Sequence, residues 1–330
     1  MGPSVGPRPR GLAPLREATR AKLFTAGALP SAMRDWSVSA PTGGTLQARE
    51  VGDPNGVPVF ALHGTPGCRL WPASFAADAR SQRIRLVSYD RAGYGSSTAV
   101  PGRRIVDVAQ EVAAIADDLG VDRFGVWGVS GGGAPALGVA AALPRRVVGA
   151  ASLAGVAPFG AAGLDWLAGM GELNVEDFQL LLRDPVAWEE KTRRDRDQLV
   201  AARPEELAEL WSSLLSEVDR AGLTEELSAW LVESLRVGLA NGHEGMRDDG
   251  LSEVRPWGFD PAEIRVPVQI WHGAHDRFVP FAHGRWLASH VPGAEAHLLP
   301  NEGHLTLFVN RLPEVHRWLG ARSSDGRPTP

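Results

Sequence analysis

The chain reads as an α/β protein, a parallel sheet covered by helices on both faces and interrupted late by a helical insertion. Two observations carry this. Short apolar runs at 58–62, 84–89, 124–129 and 147–153 recur along the first half, each apolar on both faces, with helices predicted between the last three; strands buried on both sides in a parallel sheet have this pattern. The alternation breaks between Gly155 and Arg265, where only helical spacing is found, and then resumes.

Composition narrows the class. A chain of 330 residues buries roughly three quarters of the surface its unfolded form exposes, so its core needs no staples. Hydrophobic residues are 44% and charged residues 22%, which excludes disorder throughout. The single cysteine, Cys68, excludes an intrachain disulfide and a cysteine-based zinc site. A net charge of −5, from 34 basic and 39 acidic residues, argues against a nucleic-acid partner. No apolar run reaches the roughly 18 residues of a membrane span, so none is expected. Residues 1–34 hold one acid, Glu17, against six bases. They lack the apolar stretch of roughly 7–15 residues that an export signal needs, so a flexible arm on a cytoplasmic protein is expected.

The elements follow in order. Residues 35–40 and 45–51 read as two strands joined by the turn Pro41-Thr42-Gly43-Gly44, a hairpin. Strands at 58–62 and 84–89 come next. Apolar residues at 105, 108, 109, 112, 115, 116 and 119 predict a helix. A strand at 124–129, a helix of small residues at 134–143 and a strand at 147–153 complete the first half. In the insertion, a helix at 175–182 follows Asn174 and stops near Pro185. Pro204 opens a second, with Leu207, Leu210, Trp211, Leu214, Leu215 and Val218 on one face, and Thr224 precedes a third. The sheet pattern then resumes with a strand at 266–271, a helix at 281–291, a strand at 296–299 and a closing helix at 305–319. The expected layout is an arm at 1–34, a core at 35–157 and 256–321, a helical cap at 158–255 and a disordered tail at 322–330.

The chemistry sits in the loops after the strands. Gly128-Val129-Ser130-Gly131-Gly132 fits G-x-S-x-G between an apolar strand and a small-residue helix, the context that motif requires. A serine hydroxyl attacks only once a base takes its proton. His304 lies just beyond the last strand, and loops at the carboxyl ends of parallel strands converge on one rim. His272, His275 and His283 are its competitors. Asp276, in the loop after the 266–271 strand, is the acid that would fix the imidazole tautomer; Asp260 and Glu302 are weaker alternatives. The order Ser130, Asp276, His304 belongs to one fold. The loop His63-Gly64-Thr65-Pro66-Gly67 opens on the same rim. Because Pro66 has no N–H, the amides of Thr65 and Gly131 are the candidate oxyanion donors, and the Thr65 hydroxyl is a candidate third. His63 reads as a side chain holding this loop, and Cys68 as a bystander thiol.

Together with Tyr89-Asp90-Arg91-Ala92-Gly93-Tyr94-Gly95-Ser96-Ser97, His272-Gly273-Ala274-His275-Asp276 and Gly303-His304, these segments resemble the α/β-hydrolase superfamily, its serine-nucleophile members with a helical cap. The match covers roughly 51–155 and 265–319. The resemblance implies an eight-stranded, mostly parallel sheet with the cap after the sixth strand, and a structural role for Asp90, Gly93 and Gly95. Members that open epoxides or cleave carbon–halogen bonds place Asp at the elbow, where this chain has Ser130. Iminopeptidase-like members show His-Gly-Gly-Pro-Gly, where this chain has Thr65.

The expected activity is hydrolysis of an ester or lactone of a small, largely apolar molecule, through an acyl-enzyme on Ser130. No metal or organic cofactor is expected. Phe159, Trp166, Met170 and Phe178 are candidates for the pocket wall. Asp165 or Glu172 could hold a free amino terminus, which keeps amide hydrolysis open. Carbon–carbon cleavage or rearrangement, and a ligand receptor with little turnover, are the other readings.

Overall fold

The computed structural model describes residues 33–324. The hairpin forms as β1 (Arg34–Ser39) and β2 (Thr45–Gly52), with Gly43 and Gly44 at φ 91° and 83° in its turn. Then come β3 (Val57–Leu62), α1 (Ala73–Ser81), β4 (Ile84–Tyr89), α2 (Val108–Asp118, entered through a 3-10 turn), β5 (Phe124–Val129), α3 (Gly133–Ala142) and β6 (Val147–Leu153). Six helices follow: α4 (Glu172–Arg183), α5 (Pro185–Ala201), α6 (Leu207–Leu210), α7 (Glu217–Gly222), α8 (Glu225–Gly238) and α9 (Glu244–Glu253). The chain closes with β7 (Val268–Gly273), α10 (Phe281–His290), β8 (Glu295–Leu299) and α11 (His304–Ser324).

All eight strands form one sheet in the order β1-β2-β4-β3-β5-β6-β7-β8. The pairs β1–β2 and β2–β4 are antiparallel and every other pair is parallel. Side chains alternate between two cores. Phe60, Leu62, Phe124 and Val126 pack with α2 and α3, whereas Val59, Ala61, Trp127 and Val129 pack with α1 and α11. The chain runs one way from β3 to β4 and the other way to β5, so the order reverses between β3 and β5. Open α/β sheets bind ligands at such a point, outside the carboxyl ends of the strands.

Some elements depart from the sequence reading. Helix α1 was not expected; only Phe75 and Ala79 of it are buried, too thin a stripe to read. Pro185 does not merely end a helix. It opens α5, and the Asp184 side chain accepts the Ala187 N–H as a cap. The single helix expected from Pro204 to Val218 is broken, because the Ser216 hydroxyl accepts the Asp219 N–H and starts α7 afresh. Helix α9 was missed altogether, since its buried residues are Gly245, Asp248, Asp249, Gly250, Ser252 and Glu253. Residues 322–324, expected in a disordered tail, belong to α11, which runs to Ser324; Arg322 pairs with Glu295 at 2.8 Å and lies over the Trp318 ring. Residues 325–330 lie outside the described residues, as does the expected arm up to residue 32; Arg34 already belongs to β1. Among the described residues no helix is long and apolar enough to cross a membrane.

The insertion is tied to the sheet by a buried ion cluster. Asp249 of α9 accepts two hydrogen bonds from Arg91 at 2.6 Å, one from Arg103 at 2.5 Å and one from Tyr94 at 2.7 Å. Arg91 and Tyr94 are fully buried and Arg103 nearly so. Burial alone would raise the Asp249 carboxyl, but the two guanidinium charges hold it far below the usual carboxylate range. Removing one partner of such a cluster strands the other charges in a site that water cannot reach. Asp249→Ala should therefore lower stability by about 3–5 kcal/mol, read as a shift in the urea midpoint; a loss under about 1 kcal/mol would mean that the cluster relaxes into solvent.

Candidate active site

Ser130–Gly132 form a single 3-10 turn between β5 and α3. Ser130 has φ 55°, in the left-handed region that side chains rarely adopt. A Cβ on Gly128 would overlap the Gly132 carbonyl oxygen, and one on Gly132 would overlap the Leu62 carbonyl oxygen. Close backbone approach thus demands both glycines and sets the sharp turn that carries Ser130.

His304 opens α11. Its Nδ1 lies 2.7 Å from Asp276 Oδ2, and the other Asp276 oxygen accepts the N–H groups of Phe278 (2.9 Å) and Val279 (2.8 Å). A carboxylate can only accept, so Nδ1 carries the proton and Nε2 keeps a lone pair, the tautomer a general base needs. The ring stacks on Phe278 with centroids 4.6 Å apart. A second carboxylate holds the backbone. Asp219 of α7 accepts the amides of His304 (2.9 Å), Leu305 (2.8 Å) and Thr306 (3.1 Å), the orphan donors at the start of α11. Burial pushes the His304 pKa down, but the charge and hydrogen bond of Asp276 and the charge of Asp219 outweigh it. The net direction is up from 6.5.

The competing side chains have other employment. The His63 Nε2 accepts the Arg91 N–H at 3.1 Å, so its Nδ1 donates to the Gly64 carbonyl at 2.8 Å. Burial and the Arg91 charge bring its pKa to about 3. His283 spans the Ala157 amide and the Trp166 carbonyl, and burial lowers it to about 4. His272 is buried with Nε2 2.8 Å from the Val279 carbonyl oxygen, and His275 is exposed. Asp260 accepts the Ala262 N–H in a turn, and Glu302 pairs with Arg311. Burial raises the Cys68 thiol to about 11, so it stays protonated.

The loop His63–Gly67 lies against the elbow. A Cβ on Gly131 would overlap the Thr65 hydroxyl and come within 3.1 Å of the Thr65 amide nitrogen. Thr65 and Gly131 therefore approach backbone to backbone beside Ser130. The Thr65 hydroxyl is no third donor: its one proton goes to Asp249 Oδ2 at 2.5 Å, and Arg91 donates to its oxygen.

Two cavities meet at Ser130. The larger, about 270 Å³, is lined by Thr65, Gly131, Met170, Phe178 and side chains of α5 and α9. The smaller, about 110 Å³, is lined by His304, Trp71, Trp230, Leu231 and Phe308. Thr65, Pro66, Ser130, Trp211 and Phe278 border both. Of the four expected wall residues, Met170 and Phe178 line the larger cavity. Phe159 is 37% exposed, and Trp166 is buried with its indole N–H on the Ala157 carbonyl. Asp165 and Glu172 are exposed and line neither. Although a largely apolar substrate was expected, Asp177, Lys191, Asp195 and Glu253 line the larger cavity. Sequence reasoning missed Asp219, Asp249 and Glu253. The acidic Asp248-Asp249 pair, with Glu253 one helical turn on, was the available signal, and it lacks the apolar stripe that marks a helix.

The family profile described as the alpha/beta hydrolase fold matches residues 57–311, and the chain belongs to that family. Among curated relatives, a 2-hydroxy-6-oxononadienedioate/2-hydroxy-6-oxononatrienedioate hydrolase of Burkholderia vietnamiensis is 27% identical over 74% of this chain and 79% of its own length. A proline iminopeptidase of Neisseria gonorrhoeae is 26% identical over 77% and 85%. Among solved structures, a thermophilic esterase from Thermogutta terrifontis superposes with a TM-score of 0.62 at 20% identity, covering 88% of this chain and 99% of that one.

A base works in its neutral form, so kcat/KM should climb as pH rises through the His304 pKa, at a midpoint above 6.5. Asp219→Asn removes a negative charge from beside the ring and should move that midpoint to lower pH. Asp276→Asn should cut kcat on the order of 10⁴-fold. The pH profile of kcat/KM checks both; an acid limb that Asp219→Asn leaves in place would refute the electrostatic role of Asp219.

Proposed function

We propose that this hydrolase cleaves an ester or lactone through an acyl-enzyme on Ser130. His304 Nε2 takes the hydroxyl proton as Ser130 Oγ attacks the acyl carbon. The amides of Thr65 and Gly131 hold the oxyanion, each contributing on the order of 2.7–4 kcal/mol to the transition state in sites of this kind. His304 then returns the proton to the leaving group, and water activated by His304 releases the acid.

One observation carries this reading: Ser130 stands where the two cavities meet, with Gly131 on one side and His304 on the other. The acyl part belongs in the cavity that holds Gly131, because the oxyanion sits on the acyl carbon. The leaving group belongs in the cavity that holds His304, because that ring must protonate it. The walls around His304 are aromatic and aliphatic, which suits an uncharged aryl or alkyl leaving group. The dicarboxylates named for the Burkholderia relative suit this chain poorly, since Asp177 and Asp195 outnumber Lys191 in the wall that would face an anionic acyl part. Amide hydrolysis is the second reading, favoured by the acidic side chains of that wall and by the iminopeptidase relative.

Intact-mass analysis after fluorophosphonate treatment should give one adduct, absent from Ser130→Ala. Esters graded by leaving-group size should be turned over up to a sharp limit, which Trp230→Ala raises. No adduct on the wild type would overturn the proposal.

A further inference from the structure

The larger cavity carries a carboxyl group that the mechanism above does not use. Glu253, the last residue of α9, is 7% exposed and lines the cavity that Ser130 also borders. Among the described residues no side chain and no backbone N–H bonds its carboxyl. Two aspartates share this cavity. Asp177 of α4 and Asp195 of α5 are bridged by Lys191, with Nζ–O distances of 2.8 and 2.5 Å. The single cation of the wall is thus spent between two anions, and the formal charge facing the cavity is negative even with Glu253 protonated. Trp188 and Trp211 belong to the same lining.

We propose that Glu253, together with the Asp177–Lys191–Asp195 group, forms a recognition site for an organic cation, an ammonium carried on the acyl part of the substrate. The substrate class this names is an ester or amide of an amino acid-like acyl group, and it rests on the reading of the larger cavity as the acyl side. The Glu253 carboxyl faces the cavity with no partner among the described residues, so its oxygens are open to donors from a ligand. An anion would meet net negative charge. A metal ion is a poor fit, because among the described residues no three His, Cys, Asp or Glu side chains converge closely enough to hold one. An ammonium offers donors to the free carboxyl.

The electrostatics give the proposal a pH signature. Burial and the Asp249 charge, with a smaller push from Asp177, raise the Glu253 pKa to about 8 against the pull of Arg91 and Arg103. In the empty cavity at neutral pH the group is therefore mostly protonated. A bound ammonium favours the carboxylate, so binding expels a proton to solvent, and affinity rises with pH until Glu253 is ionised without the ligand.

The test is calorimetric titration of the full chain with 4-phenylbutylammonium and its neutral counterpart 4-phenylbutan-1-ol, at about pH 7 and about pH 9, on either side of the Glu253 value. Hydrogen bonds to a charged group predict that the ammonium binds at least about tenfold more tightly than the alcohol. The preference should grow toward the higher pH, and buffers of different ionisation enthalpy should report proton release at the lower one. In Glu253→Gln the preference should fall at least about threefold and lose its pH dependence, while binding of the alcohol reports an intact cavity. Equal binding of the two ligands by the wild type overturns the proposal, as does a preference that Glu253→Gln leaves unchanged. If Glu253→Gln does not fold, a wild-type preference that is flat with pH overturns it. Fluorophosphonate labelling of the same samples separates the two proposals. Labelling without ammonium preference sinks the cation site alone. Preference without labelling sinks the hydrolytic reading and leaves the cation site standing.

Discussion

Asp249 is a carboxylate with no access to water, held among two guanidinium groups, a tyrosine hydroxyl and the Thr65 hydroxyl. Its desolvation is offset only while every one of those partners stays in place. That requirement fixes α9 against the loop after β4 and fixes the loop after β3 against the elbow. Thr65 and Gly131 come into register beside Ser130 because the insertion reaches down to hold them. His63, locked between the Arg91 amide and the Gly64 carbonyl, stiffens the same loop from beneath.

The other half of the site follows the same pattern. Asp276, from the loop after β7, orients the His304 ring, while Asp219, from the insertion, holds the His304 backbone. Each half of the machinery therefore takes one carboxylate from the insertion. One anchors the proposed oxyanion loop and the other anchors the proposed base. The third acidic residue of this set, Glu253, has no such anchoring duty and faces the cavity instead.

Much of this was legible in the sequence, for stated reasons. Strands β4, β5 and β6 begin and end where their apolar runs do, because a strand buried on both faces leaves a continuous run bounded by turn residues. The Gly–Ser–Gly elbow was legible because backbone crowding leaves glycine as the only residue that fits. Asp276 and His304 were legible from their places after β7 and β8, and they do lie in contact. Helices α5 and α9 were not, because each buries few apolar side chains and so leaves no stripe of period 3.6. The carboxylate partner of Arg91 could not be read either. Asp249 lies 158 residues away in the chain, and charge complementarity over that span has no local signature.

The boundary between insertion and sheet is thus drawn differently in sequence and in space. Along the chain, α4–α9 can be cut out between β6 and β7. In three dimensions, Asp219 and Asp249 are part of the floor on which the site stands. The insertion is not an exchangeable module. Grafting another helical segment onto this sheet would take away the counter-charge of Arg91 and Arg103 and the cap of α11 together, and the recipient would lose its scaffold before it could gain a new specificity. Nor can these helices swing away as a rigid lid without exposing the same buried charges.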